Sequence, residues 1–140
     1  MKERLMQQAL MAAITADLRW PEGSPVLEEK TGDLLSQIEI ALGKTGLCAV
    51  ISEPDELESV YGAATFNERS TWVVSVFTNE ALNSTGVDNL QAAFLVRDIL
   101  ADTNPGGYWA EPLVRARIRK VGMQDGIVAR DVTFTAAYQS

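Results

Sequence analysis

The chain has no histidine and only one cysteine among its 140 residues. Histidine is the commonest general base and metal ligand, and it activates the nucleophile in Ser–His and Cys–His pairs. A single cysteine excludes an intramolecular disulfide and zinc sites of the cysteine–histidine type. An enzyme would have to work with carboxylates alone, and no spacing of acids indicates two that converge in a cleft. We therefore expect no catalytic residue, no metal site and no cofactor.

Long apolar runs are also missing. No stretch of the sequence approaches the roughly 20 apolar residues that a membrane-spanning helix needs. The N-terminal Met1-Lys2-Glu3-Arg4 is followed by Leu5-Met6-Gln7-Gln8, which is too polar for the core of a signal peptide. The sequence therefore predicts no membrane partner and a cytoplasmic location.

The composition is that of an ordinary globular protein, with 46% apolar and 22% charged residues. This length predicts a single domain, residues 1–140. The net charge of −7 opposes binding to phosphate backbones, so we expect no specific nucleic-acid partner. Residues 1–70 carry six basic and twelve acidic side chains, whereas residues 71–140 carry six and seven. The two halves can therefore offer complementary surfaces when several copies meet.

Apolar residues at helical spacing predict three helices, at residues 3–19, 31–43 and 86–102. For the second helix, Thr31 or Asp33 is the expected N-cap and Gly43 the expected C-cap. For the third helix, Ser84 or Thr85 is the expected N-cap.

Strand-forming residues predict strands at residues 47–51, 60–66, 71–78, 114–119 and 131–138. The last two form a hairpin, because both alternate in polarity and Asp125-Gly126 between them is a good turn signal. The run at 71–78 is apolar on both faces, which places it centrally. The order α-α-β-(β)-β-α-β-β indicates an α+β fold. We expect two to three helices packed on a mixed or mostly antiparallel β-sheet of four to five strands.

The first arm of the hairpin carries a stripe of arginines, Arg115, Arg117 and Arg119, with Lys120 beside it. Their alternation with apolar residues predicts a strand with one wet face, along which the three arginines span roughly 13 Å. One interpretation is a solvated face balanced by nearby acids such as Asp131. The other is an interface with an acidic face of another copy, since the overall acidity disfavours nucleic acid. The sequence leaves both open.

Tyr108 and Trp109 lie between proline- and glycine-rich turns. Two large aromatics at this place can fill the end of the core, or they can anchor a partner, because such residues are enriched at binding hot spots. A small ligand or regulatory partner held under this loop, in a deep apolar pocket, gives the alternative function of a binding module without catalysis.

The acidic run at 53–58 includes Asp55 and Glu56. It lacks the Asp-x-Asp-x-Asp-Gly order that makes a calcium loop specific, so a solvated loop is the preferred interpretation. We nevertheless include this run, together with the loops at 79–86 and 104–112, among the candidate contact surfaces.

With these elements in this order, the chain resembles the tail terminator (minor tail, tail-completion) proteins of long-tailed bacteriophages and prophages. The matching features are an N-terminal helix, the strands at 47–51 and 72–77, the helix at 86–102 and the closing hairpin. The resemblance covers most of residues 30–140 and includes no motif that defines a functional residue. It implies a structural protein that forms a homo-oligomeric ring, commonly hexameric, which caps the tail tube. It also implies contacts with other tail or connector proteins and a place in the virion tail.

Overall fold

The computed structural model describes residues 2–29, 33–52, 57–61, 66–109 and 111–139. These residues form three α-helices, a short 3₁₀ turn at Pro105–Gly107 and a sheet of six strands. In chain order the elements are α1 (Lys2–Ala16), β1 (Val26–Glu28), α2 (Leu34–Thr45), β2 (Leu47–Ile51), β3 (Leu57–Tyr61), β4 (Phe66–Asn79), α3 (Asn89–Leu100), β5 (Val114–Gln124) and β6 (Ile127–Gln139).

The sheet is mixed, with the strand order β1-β2-β4-β6-β5, and β3 pairs with the first residues of β4. Only the β1–β2 pair among these strands is parallel. The predicted α+β class is therefore confirmed, and β4, which contains the predicted run 71–78, is central. The sequence analysis missed β1, which has only three residues. The strand predicted at 60–66 is instead the end of β3 and the start of β4, and residues 62–65 lie outside the described part.

One face of the sheet, which we call the closed face, is covered by α1 and α3. Alternate residues of β4 and β6, among them Trp72, Val74, Val132 and Phe134, are fully buried there. Complete burial of a side chain of this size contributes about 2–3 kcal/mol. The closed face therefore holds the main hydrophobic core.

The opposite face, which we call the open face, is covered only in part. Of the described elements only α2 packs on it, through Ile38, Ala41 and Leu42 against Cys48 and Val50 of β2. Among the side chains that the structure describes, β4 and β6 present beyond α2 a half-buried surface of residues with short side chains, namely Thr71, Val73, Ser75, Asp131, Thr133 and Thr135. Antiparallel sheets tolerate such a face in contact with water.

The helix α1 ends earlier than predicted, at Ala16 instead of residue 19. The Asp17 carboxylate accepts hydrogen bonds from the backbone N–H of Arg19 at 2.9 Å and from its guanidinium at 3.0 Å. Such local bonds compete with the helical pattern, which explains the early end. The same bonds lower the pKa of Asp17 to about 2, chiefly through the Arg19 side chain.

The ends of α2 and α3 are set by capping residues. Asp33 caps α2, as one of the two predicted options, but the C-cap is Gly46 and not Gly43. A Cβ atom on Gly46 would lie 2.4 Å from the backbone nitrogen of Asn83, and its φ of +81° also favours glycine. The predicted caps Ser84 and Thr85 of α3 are wrong, because Asp88 is the N-cap.

Asp88 forms a capping box at the start of α3. Its side chain accepts from the backbone N–H of Gln91 at 2.8 Å, and the Gln91 side chain accepts from the Asp88 N–H at 2.9 Å. Two backbone donors that would otherwise lack partners are satisfied in this way. Ser84 and Thr85 belong to the loop that precedes the helix.

Candidate functional site

The arginine stripe lies on β5, the last strand of the β1-β2-β4-β6-β5 sheet path. Arg117 pairs with Thr133 and Arg119 with Asp131. Cross-strand partners share a face, so both arginines lie on the open face, and both are exposed. Ile118 between them packs against the core of the closed face. We call Arg117 and Arg119 the arginine edge.

The alternation predicted for residues 114–119 is interrupted at its start. The register of β5 against β6 shifts between Val114 and Arg117, which indicates a bulge, and Val114 is 38% exposed. A bulge turns side chains away from strict alternation, and single-strand patterns do not show it. Arg115 lies inside this shift, and its side chain is outside the described part of the structure.

Asp131, the acid proposed to balance the arginines, forms its described hydrogen bond with a different residue. The Asp131 carboxylate accepts a hydrogen bond from the Ser75 hydroxyl at 2.7 Å. Neither Arg117 nor Arg119 forms an ion pair with any acid among the described residues. The two arginines are therefore not held in a described ion pair, although Asp131, the cross-strand partner of Arg119, lies on the same face.

A groove lies beside the arginine edge, between α2 and the hairpin of β5 and β6. Its volume is about 550 Å³, and its lining is mainly apolar. Leu35 and Ile38 of α2 contribute one wall, Val121 of β5 another, and Phe77 and Ile127 also line it. Leu35 is 71% exposed and Val121 is 57% exposed, so apolar surface here remains accessible.

Tyr108 and Trp109 lie on the closed face, away from this groove. Trp109 is 4% exposed, and its ring meets that of Trp72 edge-on with the centroids 6.0 Å apart. Asn104 fixes the backbone of Trp109, accepting from its N–H at 2.9 Å and donating to its carbonyl at 2.7 Å. Tyr108 is half-buried and packs against the same core. These positions are those of core residues, and they leave Trp109 little surface for a partner.

Asn89 is a buried polar residue that the sequence analysis did not single out. Its two side-chain N–H groups reach three acceptors, the carbonyls of Val76 and Val128 and the hydroxyl of Thr78, at 3.0–3.1 Å. Its side-chain oxygen accepts from the Arg130 guanidinium at 2.9 Å. Asn89 thus ties the start of α3 to β4 and β6. The sequence around Asn89 could not predict this role, because its hydrogen-bond partners are up to 41 residues away along the chain.

The remaining candidates offer little chemistry. Cys48 is buried, and burial raises the pKa of its thiol to about 12, so the thiol stays neutral and unreactive. Within the described ranges, no three potential metal ligands of the histidine, cysteine or carboxylate type come together. No described helix has both the length and the apolar character to cross a membrane. Asp55 and Glu56 lie outside the described residues.

Comparisons with known proteins show a likeness in fold to a solved structure. No protein-family model matches the chain, and no curated protein matches it either. A chain in the solved structure titled "Virion of native gene transfer agent (GTA) particle" superposes with a TM-score of 0.65 and 19% sequence identity. The match covers 96% of this chain and 95% of that chain. The two chains therefore share a fold over nearly their whole lengths.

Proposed function

We propose that this protein is a structural component of a phage-like particle. The observation that supports this most strongly is the fold shared with a chain of a gene transfer agent virion, at a TM-score of 0.65. Because the likeness covers 96% and 95% of the two chains, it concerns the complete fold and not a common substructure.

The chemistry of the chain supports a structural role over a catalytic one. The sequence has no histidine, and its single thiol is buried with a raised pKa. What the described surface does offer is contact area, namely the arginine edge, the open face and the groove beside α2. Surfaces of this kind serve assembly, and they supply neither a general base nor a nucleophile.

Within this class, we propose the role of a tail terminator or head–tail joining component that assembles as a ring on the tail tube. The order of helices and strands supports it, since the N-terminal helix, the central strands, α3 and the closing hairpin follow the pattern of tail-completion proteins. An open sheet with two separate lateral edges also suits a ring, because each copy has two different sides to offer its neighbours.

Light scattering coupled to size exclusion, followed by negative-stain electron microscopy, tests the ring. We expect a discrete species containing several copies of the 15.3 kDa chain, visible as closed rings of uniform diameter. A chain that remains monomeric at about 1 mM protein would contradict the proposal, because a contact of only −4 kcal/mol would be substantially formed there.

The alternative is a module that binds a small ligand or a regulatory partner. The groove of about 550 Å³ is within the size range of small-molecule sites, which favours this alternative. The groove lies on the open face, however, and not beside Tyr108 and Trp109, where the sequence analysis had placed such a site. Native mass spectrometry of the purified protein distinguishes the binding module from the ring-forming component. One small molecule retained by each chain would support the binding module.

A further inference from the structure

The two lateral edges of the sheet lie at the same level along the strands. The pairing of the strands places five residues in one row across the sheet, in the order Ile118, Val132, Val74, Ile51 and Glu28. At about 4.8 Å for each strand, the two ends of the row lie about 19 Å apart. One end lies between the residues of the arginine edge, and the other end is acidic.

The acidic end begins with Glu28, the last residue of β1, and Glu29 directly after it. Arg4 offsets part of this charge, because its guanidinium lies 3.7 Å from the Glu28 carboxylate. Asp33 follows at the N-cap of α2, where it is exposed. Hydrogen bonds from Ser36 hold the pKa of Asp33 below its usual value, so this carboxylate is charged at neutral pH. Glu28 is paired with Arg4 and its side chain is only 12% exposed, so we call Glu29 and Asp33 the acidic edge.

We propose that the arginine edge of one copy binds the acidic edge of a second copy of the chain. This contact rests on the ring-forming role proposed above and names the surfaces that form it. Charge complementarity argues for it, since the exposed Arg117 and Arg119 form no described ion pair in their own chain. Two arginine edges placed face to face would repel, so a twofold contact through this edge is disfavoured.

A contact between two different surfaces is head-to-tail. Such a contact closes into a ring when successive copies are related by rotation alone. It forms an open helical filament when successive copies are also translated along the rotation axis. The shared row puts both edges at one level, so neighbouring copies need no shift along the strands. The strands β1 and β5 also run in opposite directions, as the pairings along the sheet require, so neighbouring edges meet antiparallel.

Sedimentation velocity on the full chain tests the arginine edge. We compare the wild type with R117E/R119E, and we use K44E/R97E as the matched control with the same change of net charge. Lys44 is on α2, and Arg97 is on α3, where its side chain is 41% exposed. We expect R117E/R119E to raise the dissociation constant at least about 100-fold. We expect the control to stay within about threefold of the wild type, with unchanged far-ultraviolet circular dichroism for both.

The acidic edge has its own variant, E29Q/D33N. Asparagine caps a helix as well as aspartate does, so D33N keeps the start of α2 while it removes the charge. We expect association about tenfold weaker, and we expect wild-type association to weaken as salt rises from about 0.05 to 0.5 M.

Mixing experiments distinguish a head-to-tail contact from a twofold one. R117E/R119E keeps its acidic edge but has no arginine edge. Small amounts of this variant should therefore bind one end of a growing assembly of wild-type copies, stop its growth there and prevent ring closure. If the wild type forms rings and R117E/R119E forms them equally well, the contact proposed here is wrong, while the ring-forming function stands. If the wild type stays monomeric throughout, both the function and the contact are wrong.

Discussion

The two faces of the sheet differ in how completely the chain covers them. On the closed face, α1 and α3 bury one continuous cluster that includes Trp72, Phe134 and Trp109. On the open face, α2 covers only a small cluster around Cys48 and Val50. The remainder is a surface of short side chains bordered by the arginine edge. The closed face thus accounts for stability, and the open face and its borders are what the molecule can offer to other molecules.

The division also separates two kinds of polar group. On the closed face, Asn89 is 4% exposed, and both polar atoms of its side chain have partners within the chain. At the border of the open face, Arg117 and Arg119 are exposed and lack a described ion pair. A buried polar network fixes one arrangement of the core, whereas exposed, unpaired charge is available for recognition between molecules.

The largest expected effect compares neighbouring residues of β6 that point to opposite faces. Phe134→Ala removes a fully buried ring from the closed face and should cost about 3–5 kcal/mol in the free energy of unfolding. Thr133→Ala, on the open face, should cost less than about 1 kcal/mol. Urea denaturation followed by circular dichroism measures both. Equal losses would show that the open face is packed as tightly as the closed one.

The next comparison uses two glycines in and after α2. Gly46→Ala should cost roughly 2 kcal/mol or more, because the residue has φ +81° and its Cβ would lie 2.4 Å from the Asn83 nitrogen. Gly43→Ala should stabilise the protein by about 0.5–1 kcal/mol, since it lies inside the helix with nothing within 4 Å. Thermal and urea unfolding give both values, and a destabilised Gly43→Ala would contradict the position of the helix.

A third comparison sets the buried Asn89 amide against a part-buried hydrogen bond on the open face. Asn89→Ala leaves the Arg130 guanidinium and the Thr78 hydroxyl without their partner, and should cost about 2 kcal/mol. Ser75→Ala, which loses the bond to Asp131 on the half-buried open face, should cost about 1 kcal/mol or less. Hydrogen exchange at the first amides of α3 should speed up only in Asn89→Ala. Equal acceleration in both variants would contradict the claim that Asn89 holds the start of α3 against β4 and β6.

The smallest effect concerns the turn that ends α1. The bonds from Arg19 lower the pKa of Asp17 to about 2 from an ordinary 3.8. A lowered carboxyl pKa contributes stability that is present above about pH 4 and is lost as the pH falls through about 2. NMR titration of Asp17 should show this midpoint, and Arg19→Gln should return it towards 3.8. An unshifted midpoint in the wild type would show that the turn is not formed in solution.

Local sequence signals predicted much of the fold. The turn at Asp125-Gly126 has φ values of +52° and +79°, as expected from two residues that tolerate the left-handed region. The apolar run at residues 47–51 is a fully buried strand, as predicted. Alternation correctly placed Ile118 towards the core and Arg117 and Arg119 outward.

Features that depend on distant residues could not be predicted from local patterns. The strand β1 has three residues and exists because β2 pairs with it. The C-cap of α2 is Gly46 and not the predicted Gly43, because the backbone of Asn83 approaches Gly46 from another loop. The shift at Val114 and the common level of the two edges are properties of strand register, which single-strand patterns do not reveal. The arginines were therefore identified from the sequence, whereas their position relative to an acidic edge required the structure.

Hydrogen exchange of the wild-type chain at low and high protein concentration tests the central claim most directly. If copies meet through their lateral edges, protection should rise with concentration in β5 and in the segment from β1 to the start of α2. Protection in α3 should stay unchanged, because this helix packs on the closed face and contributes no residue to either edge. Protection that is independent of concentration, or that rises in α3 and not in β5, would contradict the account.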